Sequence, residues 1–552
     1  MQTSRIRFAV LAAIFLAARV SADETASHVH EAIAPENFGS VDFPVSCGPE
    51  ARKRFERSVA ILHSFGYELA EESFRATAQA DAECAMAWWG VAMSRYHPIW
   101  YPPTPEDLKV GRDAVARARA LPTPTEREGA YIGAIGAFYD ESETVDHRTR
   151  ALRYEKAMES LSAKYSADRE GAAFYALSLL STAPPTDKTY SNQKKAAAIL
   201  ERIFTENPRH PGAAHYIIHS FDSPALAPLA LNAARSYAKI APSAPHALHM
   251  PSHIFTRLGD WEDSIASNRA SAASALSMAK KLPAGATPSQ RLHAFDYLEY
   301  AYLQEARDKD ARAVVDETAS IADADPKDLT GAFAFSAIPA RYALERSNFD
   351  EAARLELHPA SYPWKSFPFA EAIVVFARTV GQARQGHEAQ ARAELSRMGP
   401  IAENAVALSK QGYDWATQVE ILRREAAAWI EEAAGQREKA LELMRSAAAL
   451  EDSTEKHPVT PGAIIPAREF LGDLLLEQGK PSDALAEYET SLQSAPNRFH
   501  GIAGAEKAAR LAGNAAKASE FRSRLVALSS HGDGTRAEFS GTPPAPPVNP
   551  AR

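Results

Sequence analysis

The sequence predicts an all-α solenoid of stacked helix pairs, and three observations predict it. Segments rich in Ala, Leu, Glu, Lys and Arg alternate with short breaks bearing Pro or Gly. Strand signals are nearly absent. A Gly-x-aromatic-x-x-Ala pattern recurs along the chain. A helix pair of this kind buries its apolar face only by stacking on neighbours, so the units should form continuous arrays.

From the N-terminus, residues 1–22 read as a secretory signal. Arg5 and Arg7 give a basic start, Phe8 to Ala18 an apolar stretch, and Val20-Ser21-Ala22 a small-residue cleavage site. The apolar run is short for a membrane anchor, which needs about 20 residues. No Cys follows Ala22, which argues against a lipoprotein. The expected address is periplasmic or secreted. Losing Arg5, Arg7 and Arg19 takes the net charge from −9 to −9 − 3 = −12. That balance tells against nucleic acid as a partner, because such binding neutralises phosphates with Lys and Arg. No later apolar run is long enough for a membrane span.

Residues 23–45 read as a polar leader, 46–330 as an N-terminal array, 331–530 as a C-terminal array, and the Pro-rich 531–552 as a disordered tail. Pro-bearing stretches near 101–106 and 182–190 read as long inter-helix loops. Cys47 and Cys84 are the only cysteines. An even count in an exported chain permits a disulfide. Cys47 precedes the first helix of the first unit and Cys84 opens that of the second. Those helices should run parallel, which brings both cysteines to one end.

The clearest unit is Ala467 to Pro496, with Phe470, Leu471-Gly472, Gly479, Ala484, Tyr488 and Pro496 at telling positions. It resembles the tetratricopeptide repeat, a 34-residue helix pair. Other copies follow in that register: Gly66-Tyr67 with Ala70 and Phe74, Leu258-Gly259-Asp260-Trp261, Tyr302 with Ala306 and Ala311, Asn348-Phe349 with Ala352, and Gly386-His387 with Ala391. The resemblance implies a right-handed tetratricopeptide-repeat superhelix of eight to eleven helix pairs. Several stretches together also resemble a group of exported bacterial tetratricopeptide-repeat proteins. They are Leu62-His63-Ser64-Phe65, Cys84 to Gly90, His210 to His219, His246 to Phe255 and Glu455 to Gly462. That resemblance implies a fold and names no activity.

Six of the 17 histidines lie between His215 and His293, where an even spread would place 79/552 × 17, about 2.4. They are His215, His219, His246, His249, His253 and His293, with Asp222 and Asp296 in the same stretches. Their spacings of three, four and seven put side chains on one helix face. Neutral imidazole is the commonest metal ligand. By the repeat resemblance, first-helix slots two, five, nine, twelve and thirteen line the concave groove. His246, His249 and His253 take the second, fifth and ninth of one unit. His215, His219 and Asp222 take the fifth, ninth and twelfth of the unit before. His293, Asp296 and Tyr300 take the second, fifth and ninth of the unit after. Pro251 interrupts the middle helix and would kink it or start it late, leaving His246 in a loop.

His215, His219, His246, His249 and His253 are expected to bind a divalent transition metal, with Asp222, His293 and Asp296 as further ligands or as partners that orient the imidazoles by hydrogen bonds, and Zn, Cu, Ni or Fe suit His nitrogen with some Asp oxygen. Cu(I) fits less well, since Met250 is the only sulfur in the cluster. Affinity should fall as pH drops through about 6.5, where protons compete for free imidazole. One alternative is a metal-dependent hydrolase or oxidase using Asp222, Asp296 or Tyr300. Tyr216 stands where a zinc protease would need Glu. Another is a scaffold docking a protein or small-molecule ligand in the concave groove. His and Asp across its middle disfavour an acidic peptide terminus, while Arg257 and Arg341 in groove slots leave anion binding open. Outlying positions carry less. His63 reads as an outlying ligand or a surface residue, His97 as a loop residue, His457 as a cap on the groove, and Trp88 and Trp89 as repeat core.

Overall fold

The computed structural model describes residues 36–536, apart from 100–101, 123–124, 185, 280–281 and 410–412. The signal segment 1–22, most of the leader and tail residues 537–552 lie outside the described residues. Within them the chain is the expected all-α solenoid of tetratricopeptide type, with 25 α-helices and one pair of three-residue parallel strands, Ala286–Pro288 against Asp323–Asp325. Counting Pro245–His249 and Pro251–Leu258 as one broken helix, the helices form twelve pairs. Eight to eleven were expected. Pairs such as Ala85–Met93 with Pro105–Ala120 lack the Gly-aromatic pattern and are held instead by large cores around Trp89 and Tyr131. No described helix is long and apolar enough to cross a membrane.

Local chemistry sets the helices that matter for the site. Pro211 starts the helix Pro211–Phe221, and the His210 ring nitrogen Nδ1 accepts from Ala213 N at 3.0 Å as its cap. Ten of its eleven residues are buried, which is what an all-round apolar helix requires. Pro251 breaks the following first helix at Met250, because its ring removes a backbone donor. His246 and His249 thus sit on the short helix Pro245–His249, not in a loop. That broken helix ends at Gly259 (φ 72°), where an added Cβ would lie 2.5 Å from the Pro496 carbonyl oxygen.

The apolar core divides between Phe255 and Trp261, ahead of the boundary expected near 330. Leu292, Phe333 and Phe335 all belong to the second cluster. The later half of the leader packs closely: Phe38 and Phe43 are buried, and Ser40 N donates to the Arg209 carbonyl at 2.9 Å. Cys47 and Cys84 are disulfide-bonded across 37 positions. Residues 531–536, expected to be disordered, dock through the buried Arg536, whose Nη2 lies 2.7 Å from Asp308 Oδ1.

The C-terminal repeats fold back on the middle of the array. Trp261 Nε1 donates to the Asn497 carbonyl at 2.7 Å, and Arg498 Nη1 donates to Tyr300 Oη at 2.7 Å. The irregular segment 453–466 enters the groove. Tyr190 Oη donates to Glu455 Oε1 at 2.8 Å, and Tyr297 Oη lies 3.1 Å from the carbonyls of Pro458 and Thr460. Residues 182–184 and 186–190 lie between helices, as expected.

Candidate metal centre

The six histidines form two groups that cut across the repeat units. His215 and His219, one turn apart on Pro211–Phe221, meet His246. His249 and His253, on either side of the Pro251 break, meet His293 of the helix Ser289–Gln304. Within each group the nearest ring nitrogens lie within 4.8 Å of one another. In the first, His215 Nε2 stands 3.1 Å from both His246 Nε2 and His219 Nε2. In the second, His249 Nε2 stands 3.0 Å from His253 Nε2.

The far nitrogens decide which face each ring presents. His215 Nδ1 donates to the His63 carbonyl at 2.6 Å. His249 Nδ1 donates to Asn268 Oδ1 at 2.6 Å, and Asn268 Nδ2 in turn donates to the Ser264 carbonyl at 2.8 Å. His253 Nδ1 donates to Asp222 Oδ2 at 2.9 Å. A neutral imidazole carries one N–H, so these three rings present bare Nε2 lone pairs to the centre. Backing of this kind fixes the tautomer of metal-binding histidine.

His249 and His253 therefore face each other lone pair to lone pair. An imidazolium would resolve the clash, but burial works against it. Burial and the neighbouring His253 hold His249 well below its ordinary range, and burial outweighs Asp222 to lower His253 as well. A cation between the nitrogens resolves it directly. With bonds of about 2.0–2.1 Å, adjacent nitrogens lie about 3.3–3.4 Å apart on a tetrahedron and about 2.8–3.0 Å apart as cis ligands of an octahedron. The observed 3.0 and 3.1 Å fall within that span.

Of the two carboxylates, Asp222 takes the orienting role expected of it, and Asp296 turns away from the histidines. Asp222 receives His253 Nδ1 and Arg257 Nε, the latter at 2.8 Å, so it supports the ring from behind. Asp296 turns to Arg341, 2.8 Å away, which also holds Glu299 at 3.0 Å. Burial raises Asp296 and pushes Glu299 up to about 8. Arg257 is thereby engaged, while Arg341 holds its two carboxylates through Nη1 alone. Tyr300 belongs to the arginine network, not to the histidines. Tyr297, one turn after His293, is the tyrosine at the centre, stacked on His253 at 4.9 Å between ring centroids.

Sequence reasoning missed the supports. Phe65, at φ 54°, lies 4.4 Å from the His215 ring and stacks near His219 and His246. Asn268 lies on the buried stripe Ile265, Asn268, Ala272 of Trp261–Met278, and a lone Asn at core spacing was the available signal. His63 is no ligand of either group. Its carbonyl holds His215, while its ring donates through Nε2 to Glu170 at 2.7 Å and His210 reaches the same carboxylate at 3.0 Å. Burial would raise Glu170, but His210 and His63 bring it down to about 2. Gly212 admits the His63 ring, since a Cβ there would lie 2.5 Å from His63 Nδ1.

A cavity of about 920 Å³ opens on the first group. His219 is the only one of the six that is not buried, and it lines this cavity with Asp222, Lys456, His457, Tyr413 and Trp415. His457 packs on Trp415 at 4.9 Å between ring centroids. Burial lowers Lys456 to about 8, with its Nζ 3.6 Å from Asp222. His97 is a loop residue as expected, but a buried one, set 4.6 Å from the Tyr67 ring.

No protein-family model matches the chain, and no curated protein matches it. Solved structures do. The human IFIT1 dimer with m7Gppp-AAAA shares 12% identity over 81% of this chain and 90% of its own, at a TM-score of 0.32. The P58(IPK) TPR domain shares 12% over 84% and 98%, at 0.18. Naa15/Naa10 bound to HypK-THB shares 12% over 86% and 63%, at 0.23. Likenesses this distant carry nothing about the site.

Proposed function

We propose that the chain is a metal-binding helical-repeat protein that holds transition-metal ions between His215, His219 and His246 and between His249, His253 and His293. The contact between His249 Nε2 and His253 Nε2 carries this reading. Both nitrogens are acceptors, both rings are buried, and 3.0 Å separates them. Three of the six rings are oriented by backing partners, as a preformed ligand set requires. The donors are nitrogen throughout, which suits Zn, Cu or Ni and disfavours Mg, Ca and Mn. Fe, which more often draws on a carboxylate ligand, is left less well served now that Asp222 and Asp296 are engaged elsewhere. The 920 Å³ cavity beside His219 supports a small molecule reaching the ions, and with it the enzymatic alternative. Docking of a peptide along the mid-groove is less well supported, because segment 453–466 fills that space.

The same proposal places the chain in the periplasm or outside the cell. The Cys47–Cys84 bond supports it, since such bonds persist in oxidising compartments. The test is elemental analysis of the full chain, made without a His tag, beside a His219→Ala/His253→Ala double variant. Stoichiometric metal in the first and its loss in the second, at equal helix content, is expected. Metal retained by the double variant, or never held by the native chain, overturns the reading.

A further inference from the structure

We propose that the two histidine groups form one dicopper centre, and that dioxygen is the ligand bound between its ions. This rests on the metal reading above and goes beyond it in ion, number and ligand.

The groups are contiguous. His219 and His253 ring centroids are 6.2 Å apart, as are those of His246 and His249. One five-residue helix supplies His246 to the first group and His249 to the second. Two ions held this way would be neighbours.

The donor set then restricts the ions. All six ligands are neutral imidazoles, and no carboxylate joins them. Asp222 is engaged by Arg257 and His253, and Asp296 and Glu299 by Arg341. Lys456 adds a further cation at the edge. Two divalent ions would bring four positive charges into a buried site with no ligand anion, a costly arrangement. Two monovalent ions halve that charge. Among metals that imidazole suits, copper is the one with an accessible monovalent state. Lack of sulfur argued against Cu(I) in the sequence; burial among neutral donors argues for it more strongly.

Dioxygen meets the remaining requirement. Each Cu(I) gives one electron, O₂ takes both and becomes peroxide, the O–O double bond becomes single, and Cu–O bonds form to both ions. The charge is +2 before, from two Cu(I), and +2 after, from two Cu(II) and one O₂²⁻. No proton moves. A buried site that tolerates the reduced pair thus tolerates the oxygenated one. The entry is His219, the one ligand that is not fully buried, at the wall of the 920 Å³ cavity.

The test loads chelator-stripped, untagged full-length protein with Cu(I) without air, counts copper, and then admits dioxygen. Two coppers per chain are expected, followed by an intense near-ultraviolet charge-transfer band. Electron paramagnetic resonance should stay silent, because bridged Cu(II) spins pair. His219→Ala and His293→Ala, checked for native helix content, should each keep one copper, show no band and give an isolated Cu(II) signal in air. One copper per wild-type chain, two that oxidise to isolated Cu(II), or two Zn(II) taken up with Cu(I) refused would overturn the dicopper centre and leave the metal reading standing. A chain that binds neither copper, zinc nor nickel overturns both.

Discussion

Replacing Asn268 with Leu should weaken metal binding at the His249 group by about 10- to 100-fold. Asn268 Oδ1 accepts from His249 Nδ1 at 2.6 Å, with both residues buried. Leucine keeps the bulk and removes the acceptor. The His249 proton then gains by moving to Nε2, where it can donate to His253 Nε2 at 3.0 Å. That move relieves the lone-pair clash in the metal-free protein and takes the lone pair away from the ion. Binding must reverse it and leave a buried Nδ1–H without a partner, which costs about 1–3 kcal/mol. At about 1.4 kcal/mol per decade this is about 5- to 150-fold, in line with the range for outer partners of metal ligands. Asn268→Asp keeps an acceptor and should hold affinity near or above wild type. A chelator-competition titration of stripped protein with Zn(II) reads both variants. Unchanged affinity in the Leu variant, or equal losses in Leu and Asp, would refute the reasoning.

Other outcomes follow from the same structure. Metal should stay bound well below the pH of about 6.5 expected for free imidazole, because burial lowers the cluster histidines, His219 to about 3; metal content after dialysis at stepped pH checks this, and release centred near 6.5 counts against it. Cys47→Ser/Cys84→Ser should cost about 4 kcal/mol in urea unfolding, from loop closure over 37 positions. Arg498→Met should cost about 3–5 kcal/mol, since it strands the buried Glu345 and Glu469 carboxylates that Arg498 pairs. Burial would lower His500, but Asp473, 2.9 Å away, outweighs it and raises His500 to about 10. A folded pKa above the unfolded one stabilises fully below about 6.5 and fades as pH rises toward 10, so the urea-midpoint gap between wild type and His500→Gln should close across that window.

The helix pairs were legible because the Gly-aromatic-Ala pattern reports packing between neighbours, which is local. Twelve pairs replaced eight to eleven because pairs such as Glu126–Tyr139 with His147–Lys164 carry no Gly-aromatic break. The histidine stripes were legible as faces, since spacings of three and four fix direction on one helix. Their grouping was not. His246 and His249, three residues apart on Pro245–His249, serve different groups because the neighbouring helices Pro211–Phe221 and Ser289–Gln304 bring their histidines to either end of it. Asp296 was misread because Arg341, 45 positions away, claims it, and no local pattern reports that pair. Phe65 and segment 453–466 reach the centre only through the folding back of distant repeats. The burial they impose is a property of the whole array.

The most direct measurement is the number of ions per chain in native, untagged protein after exposure to Cu(I) without air and gel filtration, beside His249→Ala/His253→Ala. Two ions in the native chain and one in the variant is the predicted result. A native chain that emerges free of metal would contradict the account.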